Sequence, residues 1–171
     1  MSDLFEQVTD DQDFFKKIAS KIPGFKGYIE RSNRRAADKL IRETIASRFE
    51  ELWQRVSALQ TEFLNQGELL YLDDLEKAAI KLRTFIDKIQ KASYGYSGFF
   101  DAAKVNEGEL AKVYEFDNTM LDLVDEVNSA IDNVEASMGT DGLPASIRNL
   151  ISKSQDCILA YNRRDEVMRQ G

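Results

Sequence analysis

Residues 45–63 read Ile45-Ala-Ser-Arg-Phe49-Glu-Glu-Leu52-Trp-Gln-Arg-Val56-Ser-Ala-Leu59-Gln-Thr-Glu-Phe63, and the six numbered residues recur at alternating intervals of four and three. That rhythm holds them on one side of an α-helix; a strand would scatter them over both faces. A helix with such a stripe must bury it against something. Three further stretches carry the same rhythm. Leu72, Leu75, Ala79, Leu82, Ile86 and Ile89 form one, and Ile147, Leu150, Ile151, Cys157, Ile158 and Tyr161 form another. Between them lie Leu110, Val113, Met120, Val124, Val127, Ile131, Val134 and Met138, with Asp117 in the one polar place.

Breakers separate the stripes. Pro23, Gly24 and Gly27 end a short amphipathic segment of about residues 10–22, and Gly67 is placed to cap a helix of about residues 28–65. Helices of about residues 73–91 and 106–138 follow, Asn106 with Glu109 resembling a capping box, and Pro144 opens the last one from a tolerated first-turn position. A period near 3.5 residues gives shallow crossings of about 20°. The expected fold is therefore all-α: an antiparallel up-down four-helix bundle with long helices and an extra short N-terminal amphipathic helix. Helix two is the longest, so its end should overhang or be covered by the first helix. An extended coiled coil completed by a second copy is the alternative. The expected division is an N-terminal helix and linker, residues 1–27, and a helical domain, residues 28–171.

With 171 residues the chain is long enough for one core. It contains no histidine and one cysteine, Cys157, which removes His and Cys metal sites of usual spacing, Ser-His-Asp and Cys-His catalytic sets, and any disulfide framework. A lone thiol and the lack of an apolar signal stretch suit a cytoplasmic protein, and no run is apolar enough to span a membrane.

The net charge of −7 is unevenly spread. Residues 16–42 hold nine basic side chains against Glu30 and Asp38, whereas residues 107–141 hold ten acids against Lys112. The two regions can neutralise each other across the bundle. The basic region can also meet an anionic membrane surface: Phe14, Phe15 and Phe25 would supply an apolar wedge, and Lys16, Lys17, Lys21 and Lys26 the charge. A helix that docks its phenylalanines on the bundle has the same pattern. Nucleic acid is disfavoured as a partner for so acidic a chain.

Run backwards from Phe63, the period of helix two brings Arg31, Arg34 or Arg35, and Asp38 towards the seam. Polar groups there need partners. Arg34 and Asp38 can pair, with Asp117 as a third member, in an ion network that sets helix register. The functional alternative is an anion pocket formed by Arg31, Arg34, Arg35 and Lys39. The segment Tyr94-Gly-Tyr96-Ser-Gly-Phe99-Phe100 would either plug the bundle end or complete that pocket by stacking on a small ligand or nucleotide. Its glycines do not match a phosphate loop.

Carboxylates could still hold magnesium, but Asp122, Asp125, Glu126 and Asp132 fall opposite the apolar stripe of their helix, and Glu-x-x-His is absent. No cofactor, metal site or catalytic residue is expected. The segments Lys21-Ile-Pro-Gly-Phe-Lys-Gly-Tyr28, Arg34-Arg-Ala-Ala-Asp-Lys39 and Tyr94-Gly-Tyr-Ser-Gly-Phe-Phe-Asp101 together resemble a group of uncharacterised bacterial helical proteins. The resemblance spans about residues 20–117, implies a bacterial source, and carries over no functional residue. The expected function is a non-catalytic adaptor or scaffold acting through self-association or a protein partner, with residues 14–42 as its contact region. The alternative is a small-ligand or nucleotide-binding protein, magnesium-dependent and hydrolytic if catalytic at all.

Overall fold

The computed structural model describes residues 14–30, 33–92 and 107–170, and the regular structure among them is entirely helical. Helix α1 covers residues 14–21 and α2 Phe25–Glu30. Helix α3 runs Arg34–Asn65, and a 3-10 turn over Leu69–Tyr71 leads into α4, Leu72–Lys91. Helix α5 is Glu107–Ser137 and α6 is Leu143–Gln170. The all-α expectation holds. No helix among the described residues is long and apolar enough to cross a membrane.

The helix expected over residues 28–65 is divided. Asn33 stands outside helical geometry and its side-chain oxygen accepts from the Ala36 N–H at 3.1 Å, so α3 starts at Arg34. A short polar side chain that satisfies a free first-turn amide makes a better helix start than a helix interior. Phe25, Lys26 and Gly27, read as linker, belong to α2. The left-handed Gly24, at φ +88°, turns the chain between α1 and α2.

At the other end of α3 the Glu68 N–H reaches the Phe63 carbonyl at 2.9 Å, and the Gly67 N–H reaches the Leu64 carbonyl at 3.1 Å. With Gly67 at φ +76°, this is a Schellman cap. Gly67 has the capping role its position suggested.

The long helices pack in definite pairs: α3 on α4, α5 on α6, α3 on α5, and α4 on α6. Arg83 meets Glu50 at 3.0 and 2.8 Å and Gln60 meets Glu76 at 2.7 Å, so α3 and α4 run antiparallel. Arg164 meets Asp117 and Lys153 meets Glu126, so α5 and α6 are antiparallel as well. Lys81 bonds Gln155 at 2.6 Å while Lys88 lies over the Tyr161 ring, which makes α4 and α6 parallel. Although consecutive in the chain, α4 and α5 are not one of the principal packed pairs.

All six apolar residues of the 45–63 stripe are buried, as are Leu75, Ala79, Leu82, Ile86 and Ile89 of α4. Phe49 and Phe85 meet edge to face at 4.7 Å across the α3–α4 contact. The division expected at residue 27 falls inside α2, and Ile18, Ile22 and Phe25 belong to the same core cluster as α3 to α6. The start of α3 is covered by α2, and the Arg48 guanidinium donates to the Lys21 carbonyl at 2.7 Å.

Candidate functional site

Two acids singled out in the sequence meet inside the molecule. Asp38 of α3 and Asp117 of α5 are both buried, and Arg164 of α6 joins them. Its Nε donates to Asp117 Oδ1 at 2.6 Å, its Nη2 to Asp38 Oδ1, and its Nη1 faces the Met168 sulfur at 3.0 Å. Asp38 Oδ2 accepts from Arg42 Nε at 2.8 Å. Two carboxylates and two guanidiniums thus balance in a buried network that ties together three helices.

Burial disfavours a charge on Asp117, Arg164 favours it, and the carboxyl sits at about 6, above its ordinary 3.8. Burial likewise works against the charge of Arg164, but Asp117 and Asp38 outweigh it and raise the guanidinium above its ordinary value. Burial, with Asp117 next, also pushes the Tyr114 phenol up. At neutral pH the network is an ion pair shared by α3, α5 and α6. Asp117 Oδ2 is enclosed and has no hydrogen-bond partner among the described residues.

The expected cation for Asp38 was Arg34, which is exposed at the start of α3. Arg42, one turn after Asp38, takes that place, because Asp38, Arg42, Ile45 and Phe49 share a face. Arg35 is also exposed, and Lys39 reaches Glu43 at 3.8 Å. The structure therefore does not bring Arg34, Arg35 and Lys39 onto the buried acids. Arg31, Tyr94, Tyr96, Phe99 and Phe100 lie outside the described residues. Arg164 was missed, although a signal existed: the α6 stripe extended past Tyr161 by three residues arrives at Arg164 and by four more at Met168.

The N-terminal basic segment turns its apolar side inward. Phe25 is fully enclosed, 5.4 Å from the Phe15 ring and edge-on to Tyr114 at 5.8 Å. Phe14 and Phe15 are partly buried against the core, and Lys17 lies over the Phe14 ring. Lys21 bonds Asp122 at 2.6 Å and Asn118 at 3.0 Å. Lys26 approaches Glu30 at 3.8 Å, and Lys16 and Lys17 are exposed. An apolar wedge for lipid needs Phe25 facing outward; here it packs on α5. The Lys21–Asp122 contact is one point where basic and acidic regions neutralise each other.

The opposite end of α3 carries exposed apolar surface. Leu64 is 57% exposed, Leu69 60% and Leu70 79%, at the tip where α3 turns into α4. Tyr71 and Leu72 turn back onto the core. A shallow groove of about 400 Å³ runs beside them, lined by Leu64 and Leu72 with Ser57, Thr61, Asp73 and Glu76. Leu69 and Leu70 belong to none of the helical stripes. Their signal is an apolar run, Leu69-Leu70-Tyr71-Leu72, directly after a capping glycine, where a helix connection needs only polar residues.

Among the described residues no group of three or more acidic or thiol side chains is placed to hold a metal ion. Cys157 is buried, and burial pushes its thiol well above the ordinary range. Compared with known proteins, the chain matches no family model, no curated protein and no solved structure.

Proposed function

We propose that the chain is a non-catalytic helical scaffold or adaptor, a four-helix up-and-down bundle that makes its protein contact through the leucine-bearing α3–α4 tip. The observation that supports this reading is the joint exposure of Leu64, Leu69 and Leu70 at one end of the molecule, within seven residues of each other, whereas the exposed Ile80 and Leu159 lie on different helices. Single exposed leucines are ordinary on protein surfaces; three around one turn are an apolar patch of the kind partners cover. Full burial of one leucine is worth roughly 1.5–3 kcal/mol, so even partial coverage of three supplies useful affinity. The site moves from residues 14–42, whose apolar side is occupied by the core, to residues 64–72.

The test compares wild type with a Leu69→Ser, Leu70→Ser variant in light scattering across a concentration series and in quantitative pull-down from a bacterial lysate. Self-association or a specific set of captured proteins that depends on the two leucines supports the reading. Identical behaviour of both proteins in both assays overturns it.

A further inference from the structure

The tip has a chemical character beyond its leucines. From Thr61 to Lys77 the chain carries Glu62, Glu68, Asp73, Asp74 and Glu76 against Lys77 as the sole cation. Lys77 lies 3.6 Å from Asp74, and the other four acids remain. Asp73 and Glu76 line the groove itself, beside Leu64 and Leu72. The apolar surface is therefore bordered by acids, of which Glu68 and Asp73 have no ion-pair partner among the described residues.

We infer that this tip receives an amphipathic helix that presents leucine-sized side chains flanked by lysine or arginine. The inference rests on the reading of the tip as a protein-contact surface and adds the chemistry of its partner. A helix laid across the tip sets its apolar face on the exposed leucines and its cationic flanks along the adjoining groove, where Leu64 and Leu72 stand among Ser57, Gln60, Thr61, Asp73 and Glu76. Charges on its rim select the partner and steer its approach more than they add affinity. An acidic or neutral helix with the same leucines would bring like charge against Asp73 and Glu76 or leave them uncompensated.

Three synthetic helical peptides of equal length serve as probes: leucine-faced with lysine flanks, leucine-faced with glutamate flanks, and alanine-faced with lysine flanks. Their anisotropy is titrated with the full chain, with a tip reversal, Glu68→Lys with Asp73→Lys, and with an equal reversal of exposed α5 acids, Glu115→Lys with Asp125→Lys. Circular dichroism verifies that each variant is folded. The lysine-flanked leucine peptide is expected to bind roughly ten-fold more tightly than either other peptide; the tip reversal removes about that factor and the α5 reversal leaves most of it. Equal binding of the glutamate-flanked peptide, or equal losses from the two reversals, overturns the inference. If the leucine-dependent contact is instead a self-association that excludes every peptide, the inference fails while the scaffold reading stands.

Discussion

Arg164 of α6 and Asp117 of α5 meet at 2.6 Å with neither side chain exposed, and the same guanidinium reaches Asp38 of α3. One cation thereby links three helices that are far apart in the chain. Its removal strands Asp117 in a low-dielectric interior and leaves Asp38 to Arg42 alone, and loss of one partner of a buried pair typically costs about 3–5 kcal/mol. Arg164→Met should lower stability by about that amount in urea denaturation. Replacing Asp117 by Leu in the same variant should restore part of it, since a well-packed apolar group removes the stranded charge. A single variant within 1 kcal/mol of wild type, roughly, would show that the network contributes little.

Burial of Asp117, which raises its carboxyl against the pull of Arg164, sets a pH dependence. The Asp117 carboxyl in the folded protein sits at about 6, above the 3.8 of the ordinary group, so between those values the folded state binds a proton that the unfolded chain has released. Its contribution to stability is full below about pH 4 and is lost as pH rises through about 6. A carbon-detected titration should place the Asp117 midpoint near 6, and the stability difference between wild type and Asp117→Asn should fall over that window. Glu50 has the opposite sign: its hydrogen bond to Arg83 lowers its carboxyl, and that small contribution is lost as pH falls.

Gly67 occupies a left-handed conformation with open space where a Cβ would stand. Gly67→Ala should therefore cost about 1–2 kcal/mol through backbone strain alone. Gly67→Asn should cost less, because asparagine tolerates that region better. Equal thermal midpoints for glycine and alanine would contradict the cap.

Phe25 lies between Phe15 and Tyr114, so it holds α1 and α2 on the body of the molecule. Phe25→Ala should cost about 3–5 kcal/mol. It should also expose the Lys16, Lys17 and Lys21 sites to trypsin before the remainder of the chain unfolds. Cleavage there at the wild-type rate would mean that the segment stays docked without the ring.

Much of the fold was legible because helical periodicity is local. Ile45 to Phe63 announced their common face through spacing alone, and every one of them is buried. The stop at Gly67 was legible for the same reason, since a glycine after a stripe states its own backbone requirement. The start of α3 was not: the stripe contributes nothing near residue 33, and a single side-chain bond from Asn33 to Ala36 decided it. The candidate site was legible in part. Asp38 and Asp117 stood out as polar members of apolar stripes, whereas Arg164 required the last stripe to be extended beyond Tyr161.

The sequence by itself determined that the chain is helical and which side of each helix must be covered, because both follow from neighbours three and four residues apart. It also held the run Leu69 to Leu72. Only the tertiary structure decided that α3 packs on α4 and α5, that Arg164 rather than Arg34 joins Asp38 to Asp117, and that Phe25 is enclosed while Leu70 is not. Apolar stripes of similar chemistry do not specify their partners. That choice comes from how the filled surfaces fit, and it settles which apolar side chains are left for something else to cover.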